Sequence, residues 1–71
     1  MNRYILFKSP FVSEDGEYAW VKNVKYGIVY ENEKNYYLRR IKNNIEIEPY
    51  PISKELEYTV YIVGEIVRGV D

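Results

Sequence analysis

The sequence predicts a small all-β domain, built as either a barrel or a strongly bent antiparallel sheet of five to six strands. Three observations carry this prediction. Short runs rich in Tyr, Val and Ile recur along the chain, polar turns separate them, and within residues 25–48 the segments 36–42 and 44–48 alternate with a period of two. That stretch lacks the three- and four-residue apolar spacing of a helix. With 71 residues, the chain has the length of a single domain.

The central stretch is predicted to be a meander of three strands. Residues 26–30 (YGIVY) are aromatic and β-branched, a composition that suits a half-buried pleated surface. Residues 36–42 (YYLRRIK) alternate after a polar turn. Residues 44–48 (NIEIE) alternate again after Asn43 and Asn44, a good tight-turn pair because asparagine tolerates positive φ.

The first third of the chain contains one clear strand and one ambiguous stretch. Residues 3–8 (RYILFK) form an apolar run that predicts a strand, either buried on both faces or pairing at an edge. Residues 13–23 allow two interpretations. Asp15 and Gly16 form a hairpin-turn signal followed by a strand, which we prefer, whereas Ser13 would cap one or two turns of helix.

The last third is predicted to hold a loop and a long strand. Pro49 and Pro51 are expected to end the meander, because neither can donate to a ladder. Residues 58–70 (YTVYIVGEIVRGV) are the most β-prone segment, and Gly64 is expected to mark a bulge or bend. Apolar side chains on both faces predict a central position in the sheet, or one face buried against a second copy.

Large aromatic residues compensate for the small size of the domain. Nine Tyr, one Trp and two Phe are present, in a chain long enough to bury only about 60% of its unfolded surface. The residues expected in the core are Ile5, Phe7, Val29, Leu38, Ile45, Ile47, Val60 and Ile62.

The composition argues against catalysis. Cysteine and histidine are absent, which excludes disulfides and Cys-based metal sites and makes a zinc site unexpected. Ser9, Ser13, Ser53 and Thr59 therefore have no histidine to activate them, and four scattered glycines form no phosphate loop. We expect no enzyme activity, no cofactor and no metal.

The hydropathy of the sequence indicates where the protein is located, and its charge indicates which partners to expect. No apolar stretch approaches the roughly 18 residues of a membrane span, and the N-terminal run is too short for a signal peptide, so we expect a cytoplasmic protein. A net charge of −1 is unlike that of a general nucleic-acid or membrane-surface binder. Residues 34–42 carry four positive charges, whereas residues 43–71 carry six acidic and two basic side chains.

One stretch has binding character. Aromatic side chains interleaved with arginine on a sheet can stack bases while the guanidiniums contact phosphates. The simpler interpretation places one tyrosine in the core and pairs the arginines with glutamates of neighbouring strands. The candidate binding surface is Tyr36, Tyr37, Arg39, Arg40 and Lys42.

The order of short motifs in the second half resembles the C-terminal β-domain of LexA-like proteins, the serine/lysine self-cleaving repressors and their phage relatives. The motifs are residues 27–29 (GIV), 37–41 (YLRRI), 45–49 (IEIEP) and 63–68 (VGEIVR), and the resemblance covers residues 25–70. It implies a β-domain that self-associates and docks onto partners.

The family's catalytic residues have no counterparts here. Arg39 falls where the family has its general-base lysine, and a guanidinium cannot act as a base at neutral pH. Ala19 stands where the nucleophilic serine would be needed. The family's DNA-binding helix-turn-helix also has no counterpart in this sequence. The resemblance therefore implies a reduced, cleavage-incompetent form of the domain.

These observations predict a non-catalytic protein-interaction or regulatory module, phage- or prophage-like according to the resemblance. The alternatives are a small nucleic-acid-binding domain and a structural subunit of a larger assembly. We expect a homodimer, because the long C-terminal strand offers more apolar surface than so short a chain can cover. The candidate self-association residues are Tyr61, Val63 and Val67.

Overall fold

The structure, a computed structural model, describes residues 2–66, and seven strands account for most of them. The strands are β1 (Asn2–Phe7), β2 (Phe11–Val12), β3 (Ala19–Trp20), β4 (Lys25–Glu31), β5 (Asn35–Lys42), β6 (Ile45–Ser53) and β7 (Tyr61–Ile66). A turn of 3₁₀ helix, Lys54–Leu56, follows β6. The all-β prediction is therefore confirmed.

Five strands form one antiparallel sheet in the order β6-β5-β4-β1-β7, and the predicted meander is its β4-β5-β6 half. Asn43 and Asn44 make the tight turn between β5 and β6, with φ of 53° and 63°. In the β4–β5 turn, Asn32 Oδ1 accepts hydrogen bonds from the backbone N–H groups of Lys34 and Asn35, at 2.9 and 2.8 Å. Local turn chemistry therefore sets the register of the meander.

The ambiguous stretch forms a hairpin, so the strand interpretation is confirmed. β2 and β3 pair as a separate two-stranded sheet. The Asp15 carboxylate organises the turn by accepting hydrogen bonds from the Ser13 hydroxyl at 2.6 Å and the Glu17 backbone N–H at 2.9 Å. These two bonds lower the pKa of Asp15. Gly16 supplies the positive φ, 74°, that the turn needs.

The prediction that two prolines end the third meander strand is wrong. β6 runs through Pro49 and Pro51 to Ser53. It lies at an edge of the sheet, where a residue can point its nitrogen away from the ladder without losing a hydrogen bond. Pro49 also falls where the β5–β6 register shifts, and such a bulge tolerates proline.

β7 lies at the opposite edge and not in the centre of the sheet, so the barrel alternative is wrong and the open sheet is correct. Its pairing with β1 runs without a register shift, so Gly64 marks no bulge. Gly64 instead leaves room for a tyrosine ring, because a Cβ at this position would lie 2.6 Å from Tyr4 Cζ. The predicted continuation over residues 67–70 lies outside the described residues.

The core lies between one face of the five-stranded sheet and the β2–β3 hairpin. Its buried side chains are Ile5, Phe7, Trp20, Tyr36, Leu38, Ile52 and Tyr61. The predictions for Ile5, Phe7 and Leu38 are confirmed, and Ile47 and Val60 are partly buried.

Three core predictions are wrong. Val29, Ile45 and Ile62 are 45%, 65% and 38% exposed. Val29 lies at a register shift between β4 and β5, and Ile45 lies at the start of β6 beside the Asn-Asn turn. On β7 both faces are apolar, and the face that turns inward carries Tyr61 and not Ile62.

Aromatic contacts hold the hairpin on the sheet. The ring of Phe7 stacks on that of Phe11, with centroids 5.2 Å apart, and meets the edge of Tyr61 at 5.8 Å. Trp20 contacts Phe7 at 6.1 Å and Tyr50 at 5.1 Å. Such pairs add to the stability that comes from burial alone.

Raising the pH above about 10, the ordinary tyrosine pKa, is expected to destabilise the fold. Burial raises the pKa of Tyr61 well above its usual value and also raises that of Tyr36. The unfolded chain therefore loses these protons first, so the free energy of unfolding falls as the pH rises. Urea unfolding between about pH 8 and pH 11 would measure the decline. Tyr61→Phe should flatten it, whereas Tyr58→Phe, at a residue that is 71% exposed, should not.

Candidate interaction surface

The predicted binding residues are divided between the two faces of the sheet. Successive side chains on a strand point to opposite faces. Tyr36, Arg40 and Lys42 therefore project with buried Leu38 towards the hairpin, whereas Tyr37 and Arg39 project from the other face. The structure does not bring the five residues together.

The three residues on the hairpin side serve the fold. Tyr36 is buried, and its hydroxyl donates to Glu57 Oε1 at 2.9 Å. The guanidinium of Arg40 lies 5.3 Å from the Tyr50 ring centre, and its Nε donates to a backbone carbonyl of β6 at 2.9 Å. Lys42 Nζ donates to Glu17 Oε1 at 2.7 Å, which raises the lysine pKa and ties the meander to the hairpin turn.

The two residues on the other face keep binding character. The rings of Tyr37 and Tyr30 are stacked, with centroids 4.4 Å apart and an angle of 20° between their planes. Arg39 is 60% exposed, and its Nε lies 3.4 Å from Glu46 Oε2 on β6. The pairing of an arginine with a glutamate of the neighbouring strand follows the simpler sequence interpretation.

Of the candidate self-association residues, Tyr61 and Val63 face the core and do not form an exposed surface. Tyr61 is fully buried, and its hydroxyl donates to the Ser53 carbonyl oxygen. Val63 packs partly buried against the core, and Val67 lies outside the described residues. The exposed face of β7 is the opposite one, which carries Ile62 and Ile66 at 38% and 43% exposure.

Among residues 2–66, no element lies over the second face of the five-stranded sheet, and we call this side the open face. Cross-strand register places its members on one side, since paired residues project together. Its members are Tyr4, Leu6, Lys25, Gly27, Val29, Tyr30, Tyr37, Arg39, Ile41, Glu46, Ile62, Gly64 and Ile66. Sequence reasoning found only Tyr37 and Arg39 among them, because an apolar residue on a strand gives no sign of which face it occupies.

A depression of about 270 Å³ lies on the open face. Gly27 contributes no side chain there, and an added Cβ would meet nothing within 4 Å. Val29, Arg39 and Ile66 line its sides. The arrangement can accept an apolar side chain from a partner, but it offers no carboxylate pair or nucleophile for chemistry.

The hydroxyl and carboxylate groups of the described residues have structural roles where contacts are seen. Ser13 is buried in the hairpin turn, and Ser53 caps the 3₁₀ turn by accepting from the Glu55 backbone N–H at 3.1 Å. Glu31 pairs with both Arg3 and Lys54, at 3.1 Å from the latter, and so links three segments. Across residues 2–66, metal-binding residue types do not gather in groups of three or more.

The fold and the open face define the class of the protein: a small all-β domain with one covered and one uncovered sheet face. Within the described part of the chain, none of the helices has the length and hydropathy to span a membrane. Comparisons with protein-family models, curated proteins and solved structures find no match to the chain. The LexA-like resemblance therefore stays a prediction.

Proposed function

We propose that the chain is a non-catalytic protein-interaction module that self-associates through its open face. The observation that carries this proposal is the exposure of five large apolar side chains on that face. They are Val29, Tyr30, Ile41, Ile62 and Ile66. Several large exposed apolar side chains on one face are typical of an interaction site. The LexA-like resemblance supports a regulatory, phage- or prophage-like role, since that family self-associates through its β-domain.

The charge of the open face favours a second copy of the chain as its occupant. Arg39 is already paired with Glu46, and the Lys25 ammonium lies 4.9 Å from the centre of the Tyr4 ring. The charged members Lys25, Arg39 and Glu46 leave the face with a net charge of +1, which is a weak field for attracting a polyanion or a strongly charged protein. A near-neutral apolar surface is self-complementary in a two-fold contact.

The area of the face also fits a dimer. Five strands about 4.8 Å apart and about six residues long present roughly 500 Å² of sheet per copy. Two copies would thus bury about 1,000 Å² or more, which reaches the lower bound for a specific interface. Two sheets that pack face to face commonly bury an apolar core between them.

Sedimentation equilibrium from about 1 μM to about 200 μM is expected to show a monomer–dimer equilibrium. Val29→Lys should shift it to the monomer, because a dimer would bury the new ammonium in an apolar contact. The matched control is Val21→Lys. Val21 is also a valine, is 52% exposed, and lies beside the hairpin and not on the open face.

A monomer at every concentration, or equal effects of the two substitutions, would contradict self-association through the open face. Adding a single-stranded oligonucleotide tests the alternative function, which the stacked Tyr30 and Tyr37 beside Arg39 favour. Sub-micromolar, salt-dependent binding that Arg39→Ala weakens would replace the dimer proposal by nucleic-acid binding.

A further inference from the structure

The two edges of the sheet differ in their capacity to accept another strand. On β6, the Lys54 N–H donates to the Lys34 carbonyl at 2.9 Å, which fixes the alternation of hydrogen-bonded pairs along the β5–β6 ladder. Because hydrogen-bonded pairs alternate with non-hydrogen-bonded pairs, the backbone of Pro51, which is opposite Tyr37, points away from β5 and towards the outer edge of the sheet. Its ring replaces the N–H that an incoming strand would need there, so the edge is blocked at Pro51.

The β7 edge has no such block. The Lys8 N–H donates to the Val60 carbonyl at 2.9 Å, so the alternation directs the backbone groups of Tyr61, Val63 and Glu65 away from β1. Of these three residues, Tyr61 is already bonded, because its carbonyl oxygen accepts a hydrogen bond from the Tyr58 N–H. Among residues 2–66, no hydrogen bond outside the sheet satisfies Val63 or Glu65. These two residues therefore present an open stretch of edge.

The charge at this edge distinguishes between possible occupants. Within residues 61–66, a second β7 could pair antiparallel only about Gly64 or Glu65, because Tyr58 covers the end at Tyr61. Either arrangement places the two Glu65 carboxylates opposite or diagonal to each other, and such like-charge pairs are destabilising. A strand that carries a cation opposite Glu65 avoids this repulsion.

We propose that the β7 edge at Val63 and Glu65 is a strand-addition site for an extended segment of another protein. The segment carries Lys or Arg opposite Glu65, and the residues on either side of this cation are apolar. Because side chains alternate, those apolar residues lie opposite Gly64 and Ile66 on the open face. Main-chain hydrogen bonds supply the affinity and the alternating side chains the specificity. The main-chain site at this edge is distinct from the self-association contact around Val29, although the segment's apolar side chains reach Ile66 on the open face.

Amide hydrogen exchange followed by NMR tests the proposal on the intact chain. In the chain alone, the Val63 and Glu65 amides should exchange rapidly, whereas the amides of Ile62 and Gly64, which point to β1, should be protected. The probe is the acetylated and amidated peptide TVKVT at about 1 mM, a concentration suited to weak binding. It should slow exchange at Val63 and Glu65 by about tenfold or more. The matched peptide TVEVT should have a much smaller effect.

The variant Glu65→Lys should reverse this preference, because the exposed side chain then repels the lysine peptide and attracts the glutamate peptide. The proposal would be overturned by equal effects of the two peptides or by protection of Val63 and Glu65 in the chain alone. Protection that grows with protein concentration without peptide would assign the edge to a second copy. In Val29→Lys, peptide binding should persist, which separates this site from the open face.

Discussion

Leu38→Ala is expected to lower the free energy of unfolding by about 2–5 kcal/mol, a large fraction of the stability of so small a domain. Leu38 is fully buried and is paired with Ile28 and Tyr50 on the neighbouring strands. Its truncation therefore leaves a cavity in the centre of the meander. The total stability of a 71-residue domain is only roughly 4–11 kcal/mol.

Ile62→Ala is the matched control for Leu38→Ala. Both substitutions remove the same number of carbons from a strand residue, but Ile62 is 38% exposed on the open face. Its loss should cost less than about 1.5 kcal/mol in the monomer. Urea unfolding at low protein concentration, followed by far-ultraviolet circular dichroism, measures both values. Equal losses would mean that β7 turns its other face inward.

Trp20→Ala is expected to cost about 3–5 kcal/mol and to release the β2–β3 hairpin from the sheet. Trp20 is fully buried and contacts aromatic rings of both layers, among them Phe11 in the hairpin and Tyr50 in β6. No other side chain of the two-residue strand β3 is buried, since Ala19 is exposed. The indole is therefore the main attachment of this strand to the core.

Circular dichroism in urea would measure the loss, because the substitution removes the only tryptophan of the chain. Val21→Ala, at the next residue, should change stability by less than about 0.5 kcal/mol, as is usual for a surface position. An unfolding midpoint that is the same for the two variants would show that the hairpin contributes little to the core.

Strand positions were predictable from sequence wherever local chemistry decides them. The alternation of residues 36–42 and the turn formed by Asn43 and Asn44 predict β5 and the hairpin that joins it to β6. The prolines misled the prediction of where β6 ends, because their effect depends on whether a strand is central or at an edge. That position follows from the order of strands in the sheet, which no local pattern contains.

The buried face of each strand was harder to predict from sequence. The residues of the candidate interaction surface were hard to predict for the same reason. Where one face is polar, as in residues 46–48, alternation indicates which residues face water, although it did not reveal that Ile45 is 65% exposed. On β7, Tyr61 and Ile62 are both apolar, so the sequence cannot tell which one is buried. The binding residues were predicted as one surface because they are consecutive, although consecutive strand residues belong to opposite faces.

The unequal edges of the sheet limit what the protein can assemble into. A chain that could join its β7 to the β6 of the next copy would repeat head to tail without end, as fibres do. Pro51 works against this, because it removes the donor that the neighbouring β7 would require. Along this part of β6 a second β7 would therefore lack a main-chain donor, which opposes head-to-tail repetition even where the β7 edge accepts a strand.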